Sequence, residues 1–172
     1  MEIKEFKVQV LSSKNKLFRF AFRLLQNHEE AEDTVQDVFL KLWDMRHKLD
    51  QYNSVEALAM TMTKNKCLDK LKAKRNQNVD IEKQAPILSA YTAPDRKTEL
   101  QDTASLIQKV INQLPEQQKM IIQLRDVEGM EFEEIAEVMQ LSVNNIRVNL
   151  SRARKKVRDV LTNTHNYGLK QN

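Results

Sequence analysis

Helix breakers are almost missing from this chain. Its 172 residues include 2 Gly and 3 Pro. Proline costs about 3 kcal/mol and glycine about 1 kcal/mol inside a helix. A chain this poor in both, and rich in Leu, Lys, Glu and Gln, has few places to stop a helix and few residues for strand-to-strand turns. The expected fold is therefore all-α. Apolar residues make up 41% of the chain, enough to bury a core, and the length allows one medium domain or two small helical ones.

Periodicity divides the chain. Helical spacing runs from about Ile3 to Arg75 with few stops. Leu17, Phe18, Ala21, Leu24 and Leu25 form one amphipathic stripe. Asn27 or His28 then opens a helix whose first turn is acidic, as the helix dipole favours, and Ala31, Val35, Val38, Phe39 and Leu42 share one of its faces. A polar stretch from Arg46 to Ser54 contains a turn, and a last helix runs from about Val55 to Lys74, with Met60, Cys67, Leu68 and Leu71 for packing. Composition shifts at Asn76. Residues 76–99 are polar, hold Pro86 and Pro94, and read as a linker between a first domain, 1–75, and a second, 100–163. The end, 164–172, reads as a polar tail.

The net charge is +4, and its placement matters more than its size. Arg147, Arg152, Arg154, Lys155, Lys156 and Arg158 form a basic run with no acid inside it. Lys64, Lys66, Lys70, Lys72, Lys74 and Arg75 form a second, broken only by Asp69. Glu29, Glu30, Glu32, Asp33 and Asp37 form an acidic block. Two basic faces and one acidic face suit two kinds of partner. Cys67 is alone, so the chain makes no internal disulfide and suits a reducing compartment. Charges at Glu2, Lys4, Glu5 and Lys7 argue against a signal peptide, and no apolar stretch is long enough to span a bilayer. The expectation is a cytoplasmic protein without membrane insertion. There is no phosphate-cradling Gly loop, no metal-ligand cluster and no nucleophile–base pair, so neither an enzyme nor a cofactor is expected.

The segment Phe132–Leu161 is the most informative. Phe132, Ile135, Ala136 and Met139 make a short amphipathic helix. A break comes next at Gln140–Leu141–Ser142, with Ser142 suited to cap the next helix. That helix carries Val143, Ile146, Leu150, Ala153, Val157 and Val160 on one face. Two short helices with a tight turn, the second one basic, describe a helix-turn-helix. Its turn residue is Gln140, where glycine would take a left-handed conformation more easily. Asn144, Val148, Ser151, Arg152 and Lys155 point away from the buried face, with Arg147 on the flank, and these residue types pair with base edges in a major groove. Arg154, Lys156 and Arg158 read as phosphate contacts. Upstream, Pro115 opens a helix whose stripe is Met120, Ile121, Leu124 and Val127, and Gly129 ends it.

In the first half, Asp33, Gln36, Asp37 and Leu40 share the outward face of the acidic helix. An exposed Leu among acids suits contact with a basic protein; a scattered surface Leu is the plain alternative. Lys64, Asn65 and Lys70 on the last helix suit phosphates and an unstacked base, with Tyr52 placed to stack. A solvated basic helix end is the plain alternative there.

These segments together resemble the extracytoplasmic-function sigma factors of the sigma-70 family. In the first half the resemblance lies in Leu24 through Asp33 and in Val35 through Trp43. In the second it lies in Leu114–Pro115–Glu116, Glu134–Ile135–Ala136–Glu137 and Arg152 through Val157. It spans nearly the whole chain. It implies a first domain that binds core RNA polymerase through Asp33, Gln36, Asp37 and Leu40, and the melted −10 promoter element through Tyr52, Lys64, Asn65 and Lys70. It implies a second domain that reads the −35 element of promoter DNA through Asn144, Asn145, Arg147, Val148, Ser151, Arg152 and Lys155 and touches the polymerase flap. It also implies an anti-sigma factor, often membrane-bound. The chain departs from many members at Leu58 and Met60, where aromatics are common, and at Glu131, where Ser or Thr often caps the first helix of the motif. The competing reading is a helix-turn-helix regulator that dimerises through its first half; binding to core polymerase separates the two.

Overall fold

A computed structural model describes residues 2–78 and 99–168, and the central part of the expected linker, 79–98, lies outside the described residues. Eight α-helices run through the described residues: α1 (Ile3–Gln9), α2 (Lys14–Leu25), α3 (His28–Asp44), α4 (Val55–Asn78), α5 (Glu99–Asn112), α6 (Glu116–Ile122), α7 (Phe132–Met139) and α8 (Val143–Gly168). Short 3-10 segments at Leu11–Ser13 and Arg46–Gln51 and a π turn at Gln123–Val127 join some of them. No strand occurs among the described residues.

In the first half α2, α3 and α4 pack on one another. Asn27 caps α3, its side chain accepting from the Glu30 amide at 3.0 Å. Gln26 before it is left-handed, with φ 52°. Its amide donates to the Phe22 carbonyl at 2.9 Å and its side chain to the Arg23 carbonyl at 2.9 Å, bonds that offset the cost of a Cβ in that region. Leu17, Phe20, Ala21, Val38 and Leu42 are fully buried between the helices. Phe20 rather than Phe18 is the deepest aromatic, while Phe18 stands beside Phe22 and His28 at the edge. α1 is held by Phe6, whose ring meets Trp43 edge-on at 5.1 Å. The polar stretch after α3 is itself a 3-10 helix, anchored by buried Leu49.

In the second half α8 is the spine, contacted by α5, α6 and α7. Ile121, Leu124, Ile135, Ile146 and Ala153 have no exposed surface. The expected stripe Met120–Ile121–Leu124–Val127 is corrected at its last member: Val127 is exposed, and polar Gln123 is buried in its stead. The π turn is the reason, because its extra residue rotates the next part of the chain out of α-helical register. Two boundaries also differ from expectation. α4 continues to Asn78 and α8 to Gly168, so three residues expected in the linker and five expected in the tail are helical.

The halves are not separate in space. α4 packs along α7, and α2 meets the π turn. Cys67 sits within α4 with no exposed surface, and burial pushes its thiol up to about 12. In native protein at mildly alkaline pH, an aromatic disulfide reagent should leave Cys67 unmodified, whereas denaturant should release one reactive thiol per chain. Rapid labelling of the native protein would contradict this packing.

Candidate nucleic-acid interface

The helix-turn-helix is built by local bonds. Glu131 and Glu134 form a reciprocal capping box at the start of α7, with the Glu131 amide donating to Glu134 at 3.1 Å. Glu131 therefore does the work of the expected Ser or Thr. At the other end Gln140 is left-handed, φ 55°, its amide reaching Glu137 at 3.3 Å, while the Leu141 amide reaches Ala136 at 3.1 Å. That bond pair is the Schellman ending, usually made with glycine. Ser142 then caps α8, its hydroxyl accepting from the Asn145 amide at 3.2 Å.

Capped this way, α8 presents Asn144, Asn145, Arg147, Val148, Ser151, Arg152 and Lys155 to solvent along one exposed surface. Val148 keeps 40% of its surface exposed, an apolar group of the kind that meets a thymine methyl. Asn145 is partly committed, since its side-chain oxygen accepts from buried Asn149 at 2.7 Å. The Arg147 guanidinium lies over the Phe132 ring at 5.1 Å, and Arg125 lies 4.6 Å from the same ring. Phe132 thus steers Arg147 by a modest attraction, about 0.5–1 kcal/mol at an exposed site. Arg154, expected on phosphate, instead forms a two-point ion pair with Asp126, at 2.9 and 2.5 Å, that straps α8 to the π turn.

On α3 the residues Asp33, Gln36, Asp37 and Leu40 are all exposed, and Leu40 keeps 64% of its surface open. Lys66 of α4 donates to Asp37 at 2.8 Å and holds its carboxyl below the usual range. Of the strand-contact candidates, Tyr52 and Asn65 are exposed, and Lys70 donates to the Glu30 carbonyl at 3.2 Å. Lys64 is different. It is buried, and its ammonium donates to the Val138 carbonyl of α7 at 2.6 Å. Burial pushes it below the ordinary lysine range.

Comparison with known proteins decides what this arrangement is. The model for sigma-70 region 2 matches residues 10–77, and the model for sigma-70 region 4 matches residues 104–157. The chain belongs to the sigma-70 family. Among curated relatives it is similar to the RNA polymerase sigma-H factor of Pseudomonas aeruginosa, 26% identical over 88% of this chain and 83% of that one. It is also similar to the extracytoplasmic-function sigma-E factor of Escherichia coli, 24% identical over 90% and 85%. Among solved structures, the sigma factor RpoE in complex with the anti-sigma factor NepR, from Bartonella quintana, superposes with a TM-score of 0.75, covering 93% of this chain and 98% of that one at 26% identity. CnrH, solved with the cytosolic domain of CnrY, shares the fold at a TM-score of 0.63 and 22% identity, over 94% and 90% of the two chains. This sigma factor is of the extracytoplasmic-function type, a binding protein rather than an enzyme.

Where its halves meet, the sigma factor also carries a polar cluster that residue spacing does not reveal. Arg19 of α2 grips Glu128 at 3.1 and 2.6 Å, and Gln123 donates to the same carboxylate at 2.9 Å. Arg23 reaches Gln123 at 3.1 Å, Asn112 at 2.7 Å, and Gln108. Ser54, which caps α4 by accepting from the Ala57 amide at 3.1 Å, also meets Glu134 of the capping box at 3.2 Å. The partners in these bonds that cross the halves stand 80 to 109 residues apart in the chain, too far for any periodic signal. Among the described residues no group of His, Cys, Asp and Glu is arranged to hold a metal, and no helix is long and apolar enough to cross a membrane.

The left-handed turn residue gives a direct test of the motif. Gln140→Gly should stabilise the protein by about 0.5–1 kcal/mol, because glycine carries no Cβ penalty at positive φ. The denaturant midpoint should rise, with the DNA-facing surface of α8 untouched; a fall would show that the Gln140 side chain matters more than its backbone.

Proposed function

We propose that this sigma factor binds core RNA polymerase through the outward face of α3 and delivers the promoter to it through two DNA-reading surfaces. The reading is carried by one coexistence: an exposed acidic face with Leu40 on α3, and an exposed basic face with Asn, Arg and Val on α8, in a chain whose halves match region 2 and region 4.

Asp33, Asp37 and Gln36 supply polar and charged contacts, and Leu40 supplies the apolar anchor that a specific interface needs. Asn144, Asn145, Arg147, Val148, Ser151, Arg152 and Lys155 meet the −35 element in the major groove, with Lys156 on the backbone. Tyr52, Asn65 and Lys70 meet the −10 strand, Tyr52 by stacking, and Lys64 joins them only where its bond to Val138 is released. An open groove of about 510 Å³, walled by Ile107, Ile111, Ile122, Val127, Val157 and Leu161, is the apolar surface offered to the polymerase flap. The protein works in the cytoplasm beside polymerase, and an anti-sigma factor is its further partner. The activity is positioning: the chain converts a sequence preference into the location at which polymerase opens DNA.

Leu40→Asp tests the polymerase face. It should leave circular dichroism unchanged and weaken binding to core polymerase by about 1–3 kcal/mol, roughly the cost of losing an interface anchor. Equal affinity in a titration with labelled core enzyme would remove that role from α3.

The DNA face makes a sharper demand. In holoenzyme, Arg147→Ala or Arg152→Ala should relax base preference at one or two −35 positions, costing about 1–3 kcal/mol there. Lys156→Ala should weaken all promoters alike and lower the salt slope by about one unit. Uniform losses for all three variants in a promoter-library selection would show that α8 is not the reader.

A further inference from the structure

Two asparagines stand side by side in the first turn of α8, Asn144 and Asn145, and both are exposed. Their side chains are not equally free to turn. No partner holds the Asn144 side chain among the described residues. Asn145 is tied to Asn149, one turn further along and buried. The Asn149 side-chain nitrogen donates to the Asn145 main-chain carbonyl at 3.0 Å and to the Asn145 side-chain oxygen at 2.7 Å. The first bond fixes the polarity of the second. A main-chain carbonyl only accepts, so Asn149 must turn its nitrogen toward it. That same nitrogen faces the Asn145 side chain, which must therefore answer with its oxygen. The Ser142 hydroxyl accepts from the Asn145 main-chain amide at 3.2 Å, so Asn145 is held from both sides. Its side-chain nitrogen has no protein acceptor among the described residues. An amide whose oxygen is drawn inward to a buried neighbour offers its nitrogen outward, and that nitrogen is a donor.

We infer that Asn149 is a specificity residue of α8: from its buried place it turns Asn145 so that this position offers the major groove a hydrogen-bond donor alone. The inference deepens the promoter-binding reading above and rests on it. A freely turning asparagine grips adenine with both ends, its oxygen on N6 and its nitrogen on N7. That grip needs both atoms side by side on the base edge, and Asn149 holds one of them back. The remaining donor suits a single acceptor, guanine N7 or O6, thymine O4 or adenine N7. Cytosine shows the groove only its N4 donor, so donor meets donor and cytosine is rejected. A donor pressed against another loses its bond to water and gains none, and a polar site discriminates strongly by that loss. Asn145 therefore excludes one base rather than selecting one, while Asn144 can turn to read either kind of edge. Asn149 is a positioning residue, acting only through Asn145.

A promoter-library selection with holoenzyme tests this. Asn145→Ala should erase a bias against cytosine at one −35 position, which locates the base that Asn145 faces. Asn149→Leu removes both bonds. Asn149→Thr keeps a hydroxyl that can donate to the Asn145 carbonyl one turn back while it releases the side-chain oxygen. Each Asn149 variant should leave circular dichroism unchanged and raise the share of cytosine at that position by about three- to tenfold, the worth of one hydrogen bond. The base choices made by Arg147 and Arg152 should stay as they are, whereas a loss of packing alone would blur those positions too. Added to Asn145→Ala, neither variant should change that position further, because Asn149 then has nothing to turn. An unchanged cytosine bias in both Asn149 variants, or a bias relaxed equally at every position, overturns the inference. So does an Asn145→Ala variant that weakens all promoters alike, the mark of a phosphate contact. In each of these cases the unsubstituted holoenzyme still selects a −35 sequence and the promoter-binding reading stands. An unsubstituted holoenzyme that selects no −35 sequence overturns that reading, and this inference with it.

Discussion

The arrangement depends on one buried carboxylate. Glu128 has no exposed side-chain surface, and a charge in that position is tolerable only if it is paired and fully hydrogen-bonded. Arg19 supplies the charge in a two-point grip and Gln123 supplies a further donor. Gln123 in turn accepts from Arg23, which is itself distributed over Asn112 and Gln108. Each member satisfies its neighbour, so the cluster behaves as a unit that is present when the halves meet and dismantled when they part. Apolar contacts hold each half together; this cluster, with Lys64 on the end of α7, specifies how they face one another. Hydrogen bonds to charged groups contribute about 1.5–3 kcal/mol each, comparable to the binding differences by which promoters and polymerase would compete with them.

The helix-turn-helix shows how a motif survives without its usual residues. Glu131 replaces a hydroxyl cap because its carboxylate accepts the same backbone bond and its own amide is answered by Glu134. Gln140 replaces glycine because the two amide bonds of the Schellman ending hold the left-handed geometry whatever the side chain. Gln26 takes the same left-handed conformation with one amide bond to Phe22 and a side-chain bond to Arg23. Among the described residues, two of the three left-handed positions are glutamines and Gly129 is the third. The short turn brings α7 against α8 tightly enough for Phe132 to lie under Arg147.

Much of the fold is legible in the residues themselves. Scarcity of Gly and Pro announces the all-helical class, Asn27 and Ser142 announce helix starts, and the exposed sets on α3 and α8 come from 3.6-residue spacing. The features that escape have specific physical causes. Lys64 looks like a free basic residue because nothing local reveals a carbonyl acceptor 74 positions away. Arg154 looks like a phosphate contact because Asp126, its partner, belongs to a different helix layer. Val127 looks like core because periodicity presumes an unbroken α-helix, and a π turn carries no compositional mark.

That π turn has a consequence for how such a chain changes over generations. One surplus residue between Gln123 and Val127 sets the rotation by which Gln123 turns inward and Glu128 meets Arg19. A single-codon deletion there would restore α-helical register and swing the residues after it by about 100°. The Arg19–Glu128 joint and the Arg154–Asp126 strap that holds α8 would both be undone, although the residue types on the α3 and α8 surfaces would be unchanged. The joint between the halves and the seating of α8 are therefore both tied to one residue. A lineage that loses that residue must reset both at once.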